Sequence, residues 1–263
     1  MAPKTLSFNC AIITGGGGGI GKALAEYLIS INKKVIIVGR TEKNLAQTAK
    51  ELGHGTPYYV LDTGDIPSIP SFIKKVLSEH PEVDCLINNA GVQRPLDVKD
   101  FELEKADQEI NINIRGPMHL AIGFLPHFKT KPAATIINVS SGLAFIPTSI
   151  INPVYNGTKA WLHSWTLNLR TQLAKENENV KVVEIAPPMV ETDLHRERSN
   201  PDDNKKKNNS MALGLDEFMG FVTRGFEADK DTIGAGTSEG VVDRWEKEFG
   251  GQYNKAAEGY LKG

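Results

Sequence analysis

Across 263 residues this chain has only two cysteines, few aromatic residues, almost no net charge, and no apolar run near the roughly 20 residues that cross a bilayer. Cys10 and Cys85 both lie inside apolar runs, where burial as small hydrophobes is expected and neither a disulfide nor a metal site is. That usage fits a reducing compartment. The first nine residues lack the apolar stretch of a signal peptide, so a cytoplasmic protein is expected. Thirty basic and thirty-two acidic side chains leave a net charge of -2. Such a balance offers no long-range field to a phosphate backbone or an anionic bilayer, so neither nucleic acid nor membrane is an expected partner. With 40% apolar residues the chain can bury one substantial core, and residues 1–263 are expected to form a single domain without internal repeats.

What is present is a rhythm. Short β-branched runs at 10–14, 35–38, 58–61, 83–87, 135–139 and 180–185 read as buried strands. Between them lie helical patterns, such as Ile20, Leu24, Tyr27, Leu28 and Ile31 on one helix face. Continuous apolar strands alternating with helices predict an α/β fold of three layers, a doubly wound and mainly parallel sheet, with ligands beyond the carboxyl ends of the strands. The polar stretch 191–210 breaks the rhythm and carries Lys205, Lys206 and Lys207 in a row. It is expected to be either a solvated, partly disordered loop or part of a substrate lid spanning about 191–226. A helix at 215–226, a last strand at 232–237 and a short helix at 241–249 complete the pattern.

Between the first strand and the first helix stand Thr14, Gly15, Gly16, Gly17, Gly18, Gly19, Ile20 and Gly21. Five successive glycines satisfy many spacings, including G-x-G-x-x-G, so the string alone says little. Its position between strand and helix says more: glycine allows close backbone approach, and the helix N-terminus offers free N–H groups to a pyrophosphate. Where the second strand ends, an NAD site would place a carboxylate against the ribose. This chain has Gly39, Arg40 and Thr41 there. A guanidinium pairs with a 2′-phosphate, so NADP(H) is expected over NAD(H) unless Arg40 merely decorates the surface. Asp62, ending the third strand, is expected either to receive the adenine amino group or to cap a turn.

Tyr155 and Lys159 stand four apart in a helical stretch, 153–173, and so share a face. A tyrosine ordinarily ionises near pH ~10, and an adjacent ammonium is expected to bring that down until the phenol trades a proton with a carbonyl oxygen. Alone the spacing is uninformative. Asn89, Ala90 and Gly91 follow the fourth strand, Ser140 and Ser141 follow the fifth, and Asn113 lies in a helix between them. All are expected at one sheet edge, where a serine orients a carbonyl and an asparagine holds a relaying water. Each also has an ordinary structural use as a turn former, cap or helix polar residue.

Taken together, these motifs resemble the short-chain dehydrogenase/reductase family over about 10–194. The resemblance implies a Rossmann-fold NAD(P)(H) oxidoreductase with a tetrad of Asn113, Ser141, Tyr155 and Lys159. It implies Tyr155 as acid/base, Ser141 polarising the substrate oxygen, Lys159 tuning Tyr155 and holding the nicotinamide ribose, and Asn113 supporting a proton relay. It also implies Val190 and Thr192 as contacts to the nicotinamide amide, and a homodimer or homotetramer. Three departures stand out. Pro187-Pro188 replaces the usual proline-glycine and removes an N–H. The interval from Ser141 to Tyr155 is one residue long, which keeps Ser140 as a rival hydroxyl. The tail beyond Gly234 lacks the ending of tetrameric members.

Substrate walls are expected from Gln93, Arg94, Leu143, Phe145, Pro188 and Met189, a mostly apolar set suited to a hydrophobic ketone, aldehyde or secondary alcohol. Arg94 is expected either to meet a substrate carboxylate or to face solvent. Two other uses of the same fold stay open: a cofactor-binding protein without turnover, and a non-redox cyclase or isomerase.

Overall fold

The computed structural model describes residues 3–176 and 179–263. Among them a seven-stranded, wholly parallel sheet runs in the order β3-β2-β1-β4-β5-β6-β7. The strands are β1 Cys10–Thr14, β2 Lys34–Gly39, β3 Tyr58–Val60, β4 Cys85–Asn88, β5 Ala134–Val139, β6 Val180–Ala186 and β7 Thr232–Gly234. The helices are α1 Gly19–Ser30, α2 Glu42–Leu52, α3 Ile69–Glu79, α4 Leu103–Ile110, α5 Gly116–Phe128, α6 Pro153–Glu176, α7 Leu215–Glu227, α8 Thr237–Trp245 and α9 Gly251–Lys262.

Alternation along each strand makes the three layers. In β1, Ala11 and Ile13 face one side with Val35 and Ile37 of β2, under Leu24 and Leu28 of α1 and Phe218 and Val222 of α7. Cys10 and Ile12 face the other side with Ile36 and Val38, under Phe72 and Val76 of α3, Phe124 of α5 and Leu169 of α6. Since side chains in a strand alternate faces, continuous β-branched runs are what a sheet covered on both sides requires. Both cysteines are free and buried, and burial pushes the Cys10 thiol up to about 12. No helix among the described residues is long and apolar enough to cross a membrane.

β1 pairs with β2 on one side and β4 on the other, so the chain leaves β1 in one direction and returns in the opposite one. The connections diverge there and open a crevice at the carboxyl ends. At the opposite end, buried Asp84 accepts backbone N–H bonds from Asn9 at 2.8 Å and Cys10 at 2.7 Å, tying the start of β1 to β4.

Three sequence expectations need correction. The strand expected at 232–237 stops at Gly234, because Gly236 takes a positive φ of 49° and turns the chain into α8. The short helix expected at 241–249 belongs to a longer run: α8, a π-helical turn Glu246–Gly250 and α9. The helix at 215–226 is no lid, for Phe218, Val222 and Phe226 of α7 are built into the core against α1. Replacing Asp84 by alanine leaves two or more backbone donors without acceptors, and should lower unfolding free energy by about 2–4 kcal/mol in denaturant titration. A loss below the experimental scatter would contradict this role.

Candidate active site

A cavity of about 970 Å³ opens where the strands end. Its inner boundary is the glycine turn. Gly15 has φ +67°, and a Cβ on it would lie 2.8 Å from Asn89 Nδ2. A Cβ on Gly21 would stand 2.3 Å from the Gly15 carbonyl oxygen, which explains why Gly15 and Gly21 must be side-chain free. Gly18 has open space where a Cβ would be, and α1 has no side-chain cap, so its first N–H groups face the cavity. A helix start of that kind fits a pyrophosphate. Gly15, Gly17, Gly18, Gly19 and Ile20 line the cavity; Thr14 and Gly21 lie behind it and hold the turn.

Thr14 makes the junction. Its hydroxyl donates to Ile87 O at 3.2 Å and accepts the N–H groups of Asn89 and Ala90, each at 3.0 Å. Asn89 Nδ2 returns to the Thr14 carbonyl oxygen at 2.9 Å. Asn89, Ala90 and Gly91 consequently run along the cavity wall. At the end of β2, Arg40 is exposed on the same cavity and has no ion pair or side-chain hydrogen bond among the described residues. Asp62 stands between Leu61 and Thr63, which both line the cavity, and its Oδ1 accepts from Gly64 N at 2.8 Å, a turn-capping bond.

Tyr155 and Lys159 occupy successive turns near the start of α6, and both are buried and line the cavity. Pro153 opens the helix, where its missing N–H would have had no partner. Burial pushes the Tyr155 phenol well above its ordinary range; the Ser141 hydroxyl draws it down, Glu109 pushes it up and Arg198 draws it down. Lys159 Nζ lies 5.6 Å from the Tyr155 ring centroid and donates to Val139 O at 2.8 Å, and burial outweighs the groups that draw the phenol down. Burial brings Lys159 itself down to about 8, against the opposing pull of Glu109 and Glu184.

The two serines part company. Ser141 accepts from Leu143 N at 3.1 Å and turns its hydroxyl toward Tyr155. Ser140 donates to Glu184 Oε1 at 2.5 Å, and Glu184 Oε2 meets His163 Nδ1 at 2.8 Å. Glu184, itself held by His163, thus engages Ser140 at the cavity wall, and the rival hydroxyl is committed. Asn113 lies in the π-helical turn Asn111–Arg115 between α4 and α5, not in a regular α-helix. Its amide accepts from Val92 N at 3.0 Å and donates to Val92 O at 2.8 Å and Thr158 Oγ1 at 3.1 Å. The side chain is therefore a clamp between the strand end and α6, and it does not line the cavity.

Residues 191–214 fold as turns across the mouth, held by their own polar side chains rather than by an apolar face. Arg198 donates to Asp203 at 2.7 Å and to Gln93 and Asn152, each at 2.8 Å. His195 meets Asp203, and Asn204 donates to the carbonyls of Val190 and Thr192 at 3.1 and 2.9 Å. Thr192 packs over Gly19, and Val190 bridges to Leu213, so both lie on the cavity. Gln93, Leu143, Pro188 and Met189 line it too. Arg94 and Phe145 do not. Arg94 is buried, with Nε 2.9 Å from Glu197 and Nη1 3.1 Å from Lys105 O, which fits neither alternative the sequence left open. Phe145 packs on His163, ring centroids 4.2 Å apart, and against Trp245.

Sequence reading overlooked Glu109, Glu184, His163 and Arg198. Glu109 alone left a trace, standing one helical turn before Asn113 in an otherwise exposed acidic stretch. If Arg94 fastens the loop, Arg94→Met should speed trypsin cleavage at Arg196, Arg198 and the 205–207 lysines by about tenfold. Unchanged cleavage would show that other bonds hold it.

The family model for short chain dehydrogenases matches residues 9–203. The chain is 35% identical over 243 residues to the uncharacterized oxidoreductase DltE of Bacillus subtilis, covering 92% of this chain and 93% of that protein. It is 33% identical over 184 residues to an uncharacterized oxidoreductase of Staphylococcus epidermidis, covering 70% and 79%. Among solved structures, a 3-ketoacyl-(acyl-carrier-protein) reductase of Brucella melitensis complexed with NADH superposes with a TM-score of 0.75 at 27% identity, over 86% of this chain and 95% of that one. A short-chain dehydrogenase of Sphingobium yanoikuyae in complex with NADPH gives a TM-score of 0.80 over 95% and 96%, and at 22% identity shows the shared fold alone.

Proposed function

This chain belongs to the short-chain dehydrogenase/reductase family, and from that premise we propose that it is an NADP(H)-dependent oxidoreductase acting on a hydrophobic carbonyl or the matching secondary alcohol. One observation carries the reading: a single cavity holds both a glycine turn with free helix N–H groups and the paired hydroxyls of Tyr155 and Ser141. A bound nicotinamide would supply or take the hydride.

The chain's own residues then have separable tasks. Burial keeps the Tyr155 phenol protonated, so in the reducing direction it begins as the acid and delivers its proton to the carbonyl oxygen. Ser141 is fixed by the Leu143 N–H and turns its hydroxyl to that oxygen, stabilising charge as it develops. Lys159, brought down to about 8 by burial, stands 5.6 Å from the Tyr155 ring centroid and would hold the nicotinamide ribose of a bound cofactor. Asn113 sets the depth of the Val92 backbone and the approach of α6 through Thr158.

The cofactor preference rests on Arg40. With no acidic partner among the described residues, it is free to pair with a 2′-phosphate, and similar solved structures hold NADH, NAD or NADPH without deciding for this chain. On the substrate side, Leu143, Ile146, Met189, Leu194 and Met211 form an apolar wall. That wall favours a hydrophobic substituent beside the carbonyl.

Tyr155→Phe should reduce turnover across a carbonyl and alcohol panel by about 10³-fold while leaving NADPH affinity nearly unchanged. Retained turnover would remove Tyr155 from the chemistry. In Arg40→Ala the NADPH dissociation constant should rise by about 10- to 100-fold, as a lost charge-assisted bond implies, with little change for NADH. Tighter native binding of NADH than NADPH would overturn the cofactor assignment.

A further inference from the structure

Three buried side chains follow one another at four-residue steps along one face of α6: Tyr155, Lys159 and His163. Tyr155 lines the cavity, and the two behind it reach across to the strand ends. Lys159 Nζ donates to Val139 O at 2.8 Å, and His163 Nδ1 meets Glu184 Oε2, also at 2.8 Å. The other oxygen of Glu184 accepts from the Ser140 hydroxyl at 2.5 Å. One side chain therefore spans the two elements that carry the paired hydroxyls: α6 with Tyr155, and the end of β5 with Ser141.

Glu184 is out of character for its place. It is fully buried in β6, between β5 and β7, and Val182, Val183, Ile185 and Ala186 beside it are apolar. A carboxylate there costs desolvation free energy that an apolar side chain of similar volume would not, so stability alone is a poor reason for it. What it supplies is direction. The His163 ring is enclosed by Phe145 and Trp245, with centroids 4.2 and 5.0 Å away, and its Nε2 has no hydrogen-bond partner among the described residues. Glu184 is thus the polar group that orients this ring, and through the ring it bears on how deep α6 sits. Asn138 makes a second tie from β5, to Thr166 at 2.9 Å, but farther along α6 from Tyr155.

The Ser140 end is held as closely. Its N–H donates to Ile185 O at 2.8 Å, and the N–H of Gly142 donates to Pro187 O at 2.9 Å. Ser141, between them, is extended, with φ -170° and ψ 156°. Successive side chains of an extended segment point to opposite sides, so drawing Ser140 toward Glu184 turns Ser141 the other way, toward Tyr155.

We propose that Glu184 is a positioning residue for the reaction: gripping His163 with one oxygen and Ser140 with the other, it sets the separation of the Tyr155 and Ser141 hydroxyls. Its effect on turnover rests on the roles proposed above for those hydroxyls; the spacing itself does not. Side-chain length is the property that matters. Glutamate reaches both partners and aspartate is one methylene short. Glutamine still spans them, its carbonyl oxygen accepting from Ser140 and its amide donating to His163 Nδ1.

The test compares the full-length native protein with Glu184→Ala, Glu184→Asp, Glu184→Gln and Ser140→Ala by two measurements. The first is the distance from Tyr155 Oη to Ser141 Oγ in nucleotide-free crystals. It should lengthen by about 1 Å in Glu184→Ala, Glu184→Asp and Ser140→Ala, and stay near native in Glu184→Gln. The second is steady-state kinetics with NADPH and whichever carbonyl of the panel the native protein reduces fastest. Misplacement by about 1 Å costs on the order of 10²-fold, so kcat should fall by about that factor in Glu184→Ala and Glu184→Asp, while KM and the NADPH dissociation constant stay within about threefold. Glu184→Gln should recover most of the native kcat.

A native hydroxyl separation in Glu184→Ala overturns the proposal, and so does a native kcat. Glu184→Gln as slow as Glu184→Ala overturns it too, since span and not charge is the claim. If Glu184→Ala fails to fold, Ser140→Ala cuts one arm while leaving Glu184 on His163, and an unchanged separation there is equally decisive. A panel without turnover would count against the oxidoreductase reading alone, because the crystal distances need neither substrate nor nucleotide.

Discussion

The Thr14 hydroxyl sits where the two central strands end, and three backbone groups meet on it: the Ile87 carbonyl and the Asn89 and Ala90 N–H groups. This small knot fixes how far apart β1 and β4 finish. The crevice of a doubly wound sheet arises from that divergence, because connections to either side leave the middle uncovered. With the knot in place, Asn89 reaches back to the glycine turn, Gly21 can pack on Gly15, and the 89–92 backbone becomes a wall against which α6 and the π-helical turn close. The cavity is a consequence of strand topology, and its dimensions follow from a few short polar contacts.

Electrostatics is handled differently on the two sides of that wall. On the β6 side, both carboxylate oxygens of Glu184 are engaged, one by Ser140 and one by His163, which ties the end of β5 to α6. On the α4 side, the Glu109 carboxyl has no hydrogen-bond partner among the described residues. Of two buried carboxyl groups, one is thus occupied with holding the fold and the other is not. The apolar core around them keeps the effective dielectric low, so an unscreened charge there matters more than any surface ion pair.

Much of this was legible in the chain itself. The strand positions followed from continuous β-branched runs, because a sheet buried on both faces leaves no polar alternation to obscure them. The positions of Tyr155, Ser141 and the glycine turn followed because strand ends and helix starts are local features. Arg94 and Phe145 were misplaced for a complementary reason: each lies six residues beyond a strand end, where sequence gives proximity to the edge but not direction. Arg94 turned inward to Glu197, more than a hundred residues on, and Phe145 to a histidine on α6. The order of 191–214 was also hidden, since a loop held by Arg198, Asp203 and Asn204 has the composition of a disordered one. The same blindness covered the behaviour of Tyr155: spacing placed a lysine beside it, but only the packing revealed that desolvation outweighs the neighbour.

The tail makes a last point about the helix that carries Tyr155. Tyr253 of α9 donates its hydroxyl to Leu167 O at 2.6 Å and meets Thr171, while Lys175 reaches the Tyr260 carbonyl at 2.9 Å. The far half of α6 is therefore braced by residues as many as 86 positions downstream. A ribosome adds about 5–20 residues per second, so that brace emerges roughly 4–17 s after the segment it supports. The tyrosine end of α6 can rest on β5 as soon as it is made, but the other end waits for α9. During synthesis, then, the Tyr155 hydroxyl is mounted on a beam supported at one end until α9 brings the second support.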